Sequence, residues 1–290
     1  MRALGHPLCV GLDPYLDRLP PPFRRGAMAP DQPGTAQAVD EFCCRTIDLI
    51  AADVGIVKPQ VALFERLGEH GWQALTRVIR YAQAAGLLVL LDAKRGDIAE
   101  TATGYAQAYL APDAPCAVDA LTVNPYLGPD SVEPFLIAAK QAARGVIVLV
   151  RNSNPDSSAY QSLPTATGPF FTVVAASLRR WQERLIQGKT GWSSLGVTVA
   201  ATHAQDTEQI RAALPHALLL VLGYGAQGAS AREAVRGFRR GPAGLEGGMV
   251  SSSRPILFPE AAGKAGARGW EQGVRTALAR AIGDLGEAVA

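Results

Sequence analysis

Four cysteines are spread over 290 residues, at positions 9, 43, 44 and 116, and no two of them form a C-x-x-C pair. That spacing excludes the common zinc and dithiol motifs and predicts reduced, packed thiols. No window approaches the roughly 18 uninterrupted apolar residues of a membrane span. The first seven residues also lack the apolar core of a secretory signal. A soluble cytoplasmic protein without membrane contact is expected. Neither sign of charge dominates, since 28 Lys and Arg face 26 Asp and Glu for a net charge of +2. The basic residues occur as scattered short pairs such as Arg24-Arg25, Arg179-Arg180 and Arg239-Arg240. Nucleic acid therefore has no electrostatic footprint here. No internal repeat stands out, and no metal, flavin or pyridoxal motif is found, so no cofactor is expected.

What is present suits a large core: 48% of residues are hydrophobic and 19% charged. The length exceeds a simple one-domain prior, but α/β barrels reach it as single units. Eight short apolar runs, at 8–12, 55–57, 87–91, 117–123, 145–150, 195–200, 217–222 and 248–251, alternate with helical patterns. The helices are expected near 36–52, 70–85, 98–110, 129–143, 169–187, 206–213, 229–237 and 259–282. Eight of each predicts a closed (β/α)8 barrel, with residues 1–290 as one domain. Long connections are expected near 14–34, 151–168 and 237–247. The first two follow strands one and five, on the rim where barrels do chemistry; the third precedes strand eight on the opposite rim.

The stretch Leu90-Leu91-Asp92-Ala93-Lys94-Arg95-Gly96-Asp97-Ile98 ends an apolar strand in charges. Alternation along a strand puts Asp92 and Lys94 on one face, with Asp97 following across a tight Arg-Gly turn. Two carboxylates around one ammonium would keep Lys94 protonated, because unit charges about 4 Å apart interact by roughly 4 kcal/mol at an effective dielectric near 20. Such a lysine is a poor Schiff-base nucleophile and a good proton donor. The alternative is structural: Asp97-Ile98-Ala99-Glu100 fits a helix capping box, and Asp92 with Lys94 fits a strand-end ion pair.

Other strand ends carry polar residues too: Asp13 on strand one, Lys58 on strand two, Asn124 on strand four, and Arg151 to Ser153 on strand five. Each singly has a bland use, as a turn before proline for Asp13 and Asn124 and as a snorkelling chain for Lys58. Together they would converge on one pocket. After strand seven comes Gly223-Tyr224-Gly225-Ala226-Gln227-Gly228, and after strand eight Ser251-Ser252-Ser253-Arg254. Glycines let backbone N–H groups approach an anion and Arg254 supplies positive charge, at the loops where barrels hold phosphate.

These residues resemble the orotidine 5'-phosphate decarboxylase family. Asp92-Ala93-Lys94-Arg95-Gly96-Asp97-Ile98 fits its D-x-K-x-x-D-I signature. Val10-Gly11-Leu12-Asp13, Lys58, Arg151-Asn152-Ser153-Asn154-Pro155, the Gly-Ala-Gln-Gly run at 225–228 and Ser253-Arg254 follow in family order. The long loops and Val123-Asn124-Pro125-Tyr126 are similar to the longer bacterial branch. The resemblance implies conversion of orotidine 5'-phosphate to UMP and CO2 without a cofactor or metal. It implies that Lys94 protonates carbon 6, that Asp92 sits beside the substrate carboxylate, and that Lys58 bridges Asp92 and the ribose. It further implies Asp13 on ribose hydroxyls, Ser153 on the pyrimidine edge, Gln227 and Arg254 at the 5'-phosphate, and Asn124 and Ser253 among the substrate-binding residues. Asp97 and Thr101 would reach the neighbouring subunit's site in a homodimer. The rival readings are a related magnesium-dependent sugar-phosphate decarboxylase, which needs an acidic ligand near strand two, and a catalytically silent nucleotide-binding barrel.

Overall fold

Period-two alternation within each apolar run sorts its side chains between two hydrophobic layers, and this sorting shapes the molecule. The computed structural model describes residues 2–186, 188–259 and 266–290. Its barrel strands are β1 (Leu8–Leu12), β2 (Ile56–Pro59), β3 (Leu88–Arg95), β4 (Ala120–Val123), β5 (Gly145–Val148), β6 (Leu195–Ala200), β7 (Leu218–Leu222) and β8 (Gly248–Ser252). All pair in parallel, and β1 closes the ring against β8, with Cys9 opposite Ser251. The single-domain (β/α)8 barrel expected from the sequence is the observed fold.

Inside the ring, Cys9, Leu90, Ile147, Leu220 and Met249 form a small cluster of their own, with Ile56, Ala120, Leu218 and Leu222 against it. Their chain neighbours, such as Leu8, Val10, Val57, Val89, Leu91 and Leu121, face outward into the continuous layer beneath the helices. Burying a side chain of this size contributes about 1.5–3 kcal/mol. One step further toward the carboxyl ends the inward positions turn polar: Lys58 follows Ile56 by two, Asp92 follows Leu90, and Thr122 follows Ala120.

The outer helices are α1 (Pro33–Ile50), α2 (Gly68–Ala84), α3 (Ala99–Tyr109), α4 (Pro129–Gln141), α5 (Phe170–Ser177), α6 (Ala204–Ala213), α7 (Ala231–Ala234) and α8 (Gly266–Val289). Several boundaries depart from expectation. Strand three runs on to Arg95 rather than stopping at 91, because an irregularity between Leu91 and Arg95 lets pairing with β4 resume. Strand four begins only at Ala120; the Asp119 carboxylate accepts from Val89 N–H at 2.8 Å and holds the strand entry by a side chain. The helix expected at 229–237 is a single turn started by a reciprocal Ser230–Glu233 capping box. The pattern at 169–187 divides into α5 and the turn Arg179–Arg184, with residue 187 outside the described residues. Residues 260–265 of the last expected helix also lie outside them, and α8 runs on to Val289.

The three long connections are ordered. Residues 14–34 carry two 3-10 turns, and Phe23 packs edge-on against Phe42 and Trp270, at 5.4 and 5.0 Å between ring centres. In 151–168 a short helix, Ser158–Gln161, precedes a small hairpin. The 237–247 segment is an antiparallel ribbon, Arg239–Gly241 against Gly244–Glu246.

Candidate active site

Asp92 is the hub at the carboxyl end of the barrel. Its side chain is 8% exposed and receives Lys58 Nζ at 2.9 Å and Gln60 Nε2 at 3.1 Å on Oδ2. Thr122 Oγ1 at 3.1 Å and the Lys94 ammonium meet Oδ1. Burial by itself would raise the Asp92 pKa, but the ammonium groups of Lys58 and then Lys94 reverse this and hold the carboxyl well below the usual range. Burial would likewise lower Lys58, whereas Asp92 and Asp13 more than compensate and keep it above an ordinary lysine. Lys58 is 5% exposed and so does not snorkel. Lys94, at 41%, opens to the mouth of the barrel.

The backbone, rather than simple alternation, aims Lys94. Its φ is +48°, a left-handed conformation that costs a non-glycine residue about 1–2 kcal/mol. Thr122 Oγ1 holds the distortion by accepting both the Ala93 N–H at 2.9 Å and the Lys94 N–H at 2.8 Å. Asn124 N–H then closes onto the Arg95 carbonyl at 2.7 Å. Strain locked at a charged pocket residue is a mark of functional geometry.

One sequence expectation is inverted. Two carboxylates were expected around one ammonium, but within the chain a single carboxylate lies between two ammonium groups. Asp97 makes no ion pair with Lys94 among the described residues; its Oδ1 accepts the Ile98 N–H at 2.8 Å. The capping-box alternative is also not realised, because α3 has Ile98 as its N-cap and no side-chain cap. Thr101 is exposed on α3. Asn124 lies exposed at the rim, and its Oδ1 accepts from Tyr126 N–H at 3.0 Å, a turn use that its place before proline allowed.

A second group gathers beside it, after β1 and β8. Asp13 Oδ1 and Ser253 Oγ are buried without a hydrogen-bond partner among the described residues. They converge on Gly11, where an added Cβ would lie 2.7 Å from Ser253 Cβ and 3.5 Å from Asp13 Oδ1. Buried polar atoms that the protein leaves unpaired call for a partner from outside it. Gly223, at φ +93°, plays the same part in the next loops: a Cβ there would meet Gln227 Oε1 at 2.9 Å and Ser153 Cβ at 3.4 Å. Arg254, exposed, opens the helical turn Arg254–Leu257 directly after Ser253.

Sequence reasoning missed the supporting residues Gln60 and Thr122, although both occupy inward positions in register with Lys58 and Asp92. It also gave Arg151 no separate role. That guanidinium is buried and ties Asp206, Ser157, Ser158 and Gln161 together at 2.8–3.3 Å. Asn152, fixed by Thr198 Oγ1 and Gln161 Oε1, continues the clamp up to Ser153.

Comparison with known proteins gives a consistent set of relatives. The profile described as the orotidine 5'-phosphate decarboxylase / HUMPS family matches residues 6–265. An orotidine 5'-phosphate decarboxylase of Rhodopirellula baltica is 41% identical over 281 residues, covering 94% of this chain and 92% of the relative. That of Deinococcus radiodurans is 37% identical, covering 96% and 90%. Among solved structures, Leishmania donovani OMP decarboxylase superposes with a TM-score of 0.76 at 29% identity, covering 99% of this chain and 95% of that one.

Proposed function

The chain belongs to the orotidine 5'-phosphate decarboxylase / HUMPS family, and we infer from that membership and from its charge network that it converts orotidine 5'-phosphate to UMP and CO2 in pyrimidine biosynthesis. The observation that carries the reading is the buried Asp92 carboxylate, gripped by Lys58, Gln60 and Thr122 while it steadies the half-open Lys94 ammonium.

Loss of CO2 leaves an electron pair at carbon 6 of the pyrimidine. A fixed ammonium aimed at that carbon stabilises the charge as it develops, with little reorganisation, and then supplies the proton. Lys94 takes this role. Asp92 lies beside the departing carboxylate and Lys58 spans Asp92 and the ribose. Asp13 offers its unpaired oxygen to ribose hydroxyls, Ser153 reads the pyrimidine edge near Asn124, and Gln227, Ser253 and Arg254 hold the 5'-phosphate. Binding energy taken from the phosphate, remote from the reacting carbon, can then be used in the transition state. The reading takes residues 1–290 as one catalytic domain working in the cytoplasm; among the described residues no helix is long and apolar enough to cross a membrane.

Absorbance monitoring of orotidine 5'-phosphate in chelator-treated buffer tests the function. Full turnover is expected. Activity restored only by magnesium would favour the metal-dependent rival, whose acidic ligand near strand two is replaced here by Lys58. UMP binding without turnover would favour a silent barrel.

We further propose a homodimer with shared sites. Asp97 and Thr101 stand outside their own chain's charge network among the described residues, and Ile98, Tyr126, Leu127 and Ile137, on the segments that form and join α3 and α4, are exposed. A groove of about 810 Å³ runs between these two helices. Separately inactive Asp97→Ala and Lys94→Ala proteins, mixed and allowed to exchange subunits, should regain up to about one quarter of wild-type activity, since half the dimers would hold one intact site. No recovery after proven exchange would place each site within one chain.

A further inference from the structure

The loop that carries Gln227 is tethered by a residue the proposed mechanism does not use. Tyr224 sits between Gly223 and Gly225, at φ +93° and +69°, and a single isolated bridge joins it to Ala229. Its ring is buried, and its hydroxyl donates to Asp284 Oδ2 on α8 at 2.7 Å. Gly225 N–H donates to the Ala229 carbonyl at 3.1 Å and closes the base of the loop, leaving Ala226, Gln227 and Gly228 at its exposed tip. Behind the loop, between it, the Arg254–Leu257 turn and α8, lies a cavity of about 690 Å³ whose lining includes Tyr224, Gly225, Ala229, Ser230 and Asp284. Tyr224 and Ala229 pack into the core at the base of the loop, but among the described residues the cavity leaves the far side of the loop unpacked, whereas a phenol donating to a carboxylate is among the stronger neutral-to-charged hydrogen bonds.

We propose that Tyr224, through Asp284, is a positioning residue that sets the loop for the 5'-phosphate before substrate binds. The inference rests on the assignment of Gln227 to the phosphate. Without the tether the loop samples other positions, and each ligand that needs Gln227 must select the right one. A ligand lacking the phosphate meets no such requirement.

Calorimetric binding of UMP and of uridine, alongside the KM for orotidine 5'-phosphate, tests this in Tyr224→Phe, Asp284→Ala, Asp284→Asn and the Tyr224→Phe/Asp284→Ala double variant. Tyr224→Phe and Asp284→Ala should each weaken UMP binding and raise KM about five- to tenfold, within the net range of one lost intramolecular hydrogen bond. Uridine binding should change less than about twofold, and Asp284→Asn, which still accepts from the phenol, should recover most of the loss. The double variant should be no worse than either single variant, because both remove one interaction. Equal losses for UMP and uridine, additive losses in the double variant, or unchanged UMP binding would overturn the proposal. A wild type that binds UMP but decarboxylates nothing would overturn the enzymatic reading alone, since the binding comparison stands apart from turnover.

Discussion

Replacing Lys94 with alanine is expected to lower orotidine 5'-phosphate turnover by at least about 10⁴-fold while leaving the protein folded. The magnitude combines a lost proton donor, typically about 10²–10⁴-fold, with a lost preorganised charge, about 10²–10³-fold. Folding should tolerate the change because the Lys94 side chain is 41% exposed and Asp92 keeps Lys58, Gln60 and Thr122 as partners. Alanine also inherits the same left-handed backbone, so the strain is unchanged. Single-turnover rates and thermal denaturation separate the two effects. A UMP analogue with an anionic oxygen at carbon 6 supplies the second readout. It should bind wild type at least about 10²-fold more tightly than UMP, as a mimic of developing charge does, and lose most of that advantage in the variant. An active alanine variant, or an analogue preference that survives the change, would remove Lys94 from the centre of the mechanism.

Asp92→Asn should strike both activity and stability. The substitution keeps the shape but leaves the Lys58 ammonium buried beside a neutral amide. Breaking a buried ion pair in this way costs about 3–5 kcal/mol, which at this chain length lowers the melting temperature by roughly 5–8 °C. The pH dependence follows from the two shifts. Asp92 is depressed from its ordinary 3.8, so its contribution is complete above that value and lost as pH falls toward its own lower one. Lys58 is raised above its ordinary 10.5, so its contribution is complete below that value and lost as pH rises past it. The wild-type advantage in melting temperature should accordingly stay level from about pH 4 to pH 10 and shrink on either side. An advantage that varied within that window, or persisted unchanged at strongly acidic pH, would contradict the assigned charges.

The barrel was legible because each apolar run has a length and spacing that fit only a short buried strand, and because polar residues reappear at successive strand ends. Lys58 and Asp92 could be placed from period two alone. Lys94 could not: alternation put it on the correct face, but its actual direction depends on the left-handed backbone that Thr122 supports from another strand. No local pattern in 90–98 encodes that contact. Within one chain Asp97 does not meet Lys94 among the described residues, because the turn after Arg95 carries the carboxylate to the Ile98 N–H. Gln60 and Arg151 hold other groups in place: Gln60 reaches Asp92 on another strand, and Arg151 ties its own following loop to Asp206.

The serine that follows β8 meets the aspartate that follows β1 only across the final seam of the ring, where Gly11 admits Ser253. The two oxygens therefore come from distant parts of the polypeptide, and a nascent chain cannot bring them together until its last barrel strand docks. Recovery of ligand affinity during refolding should thus lag behind the gain of helical signal and report the moment when the cylinder shuts.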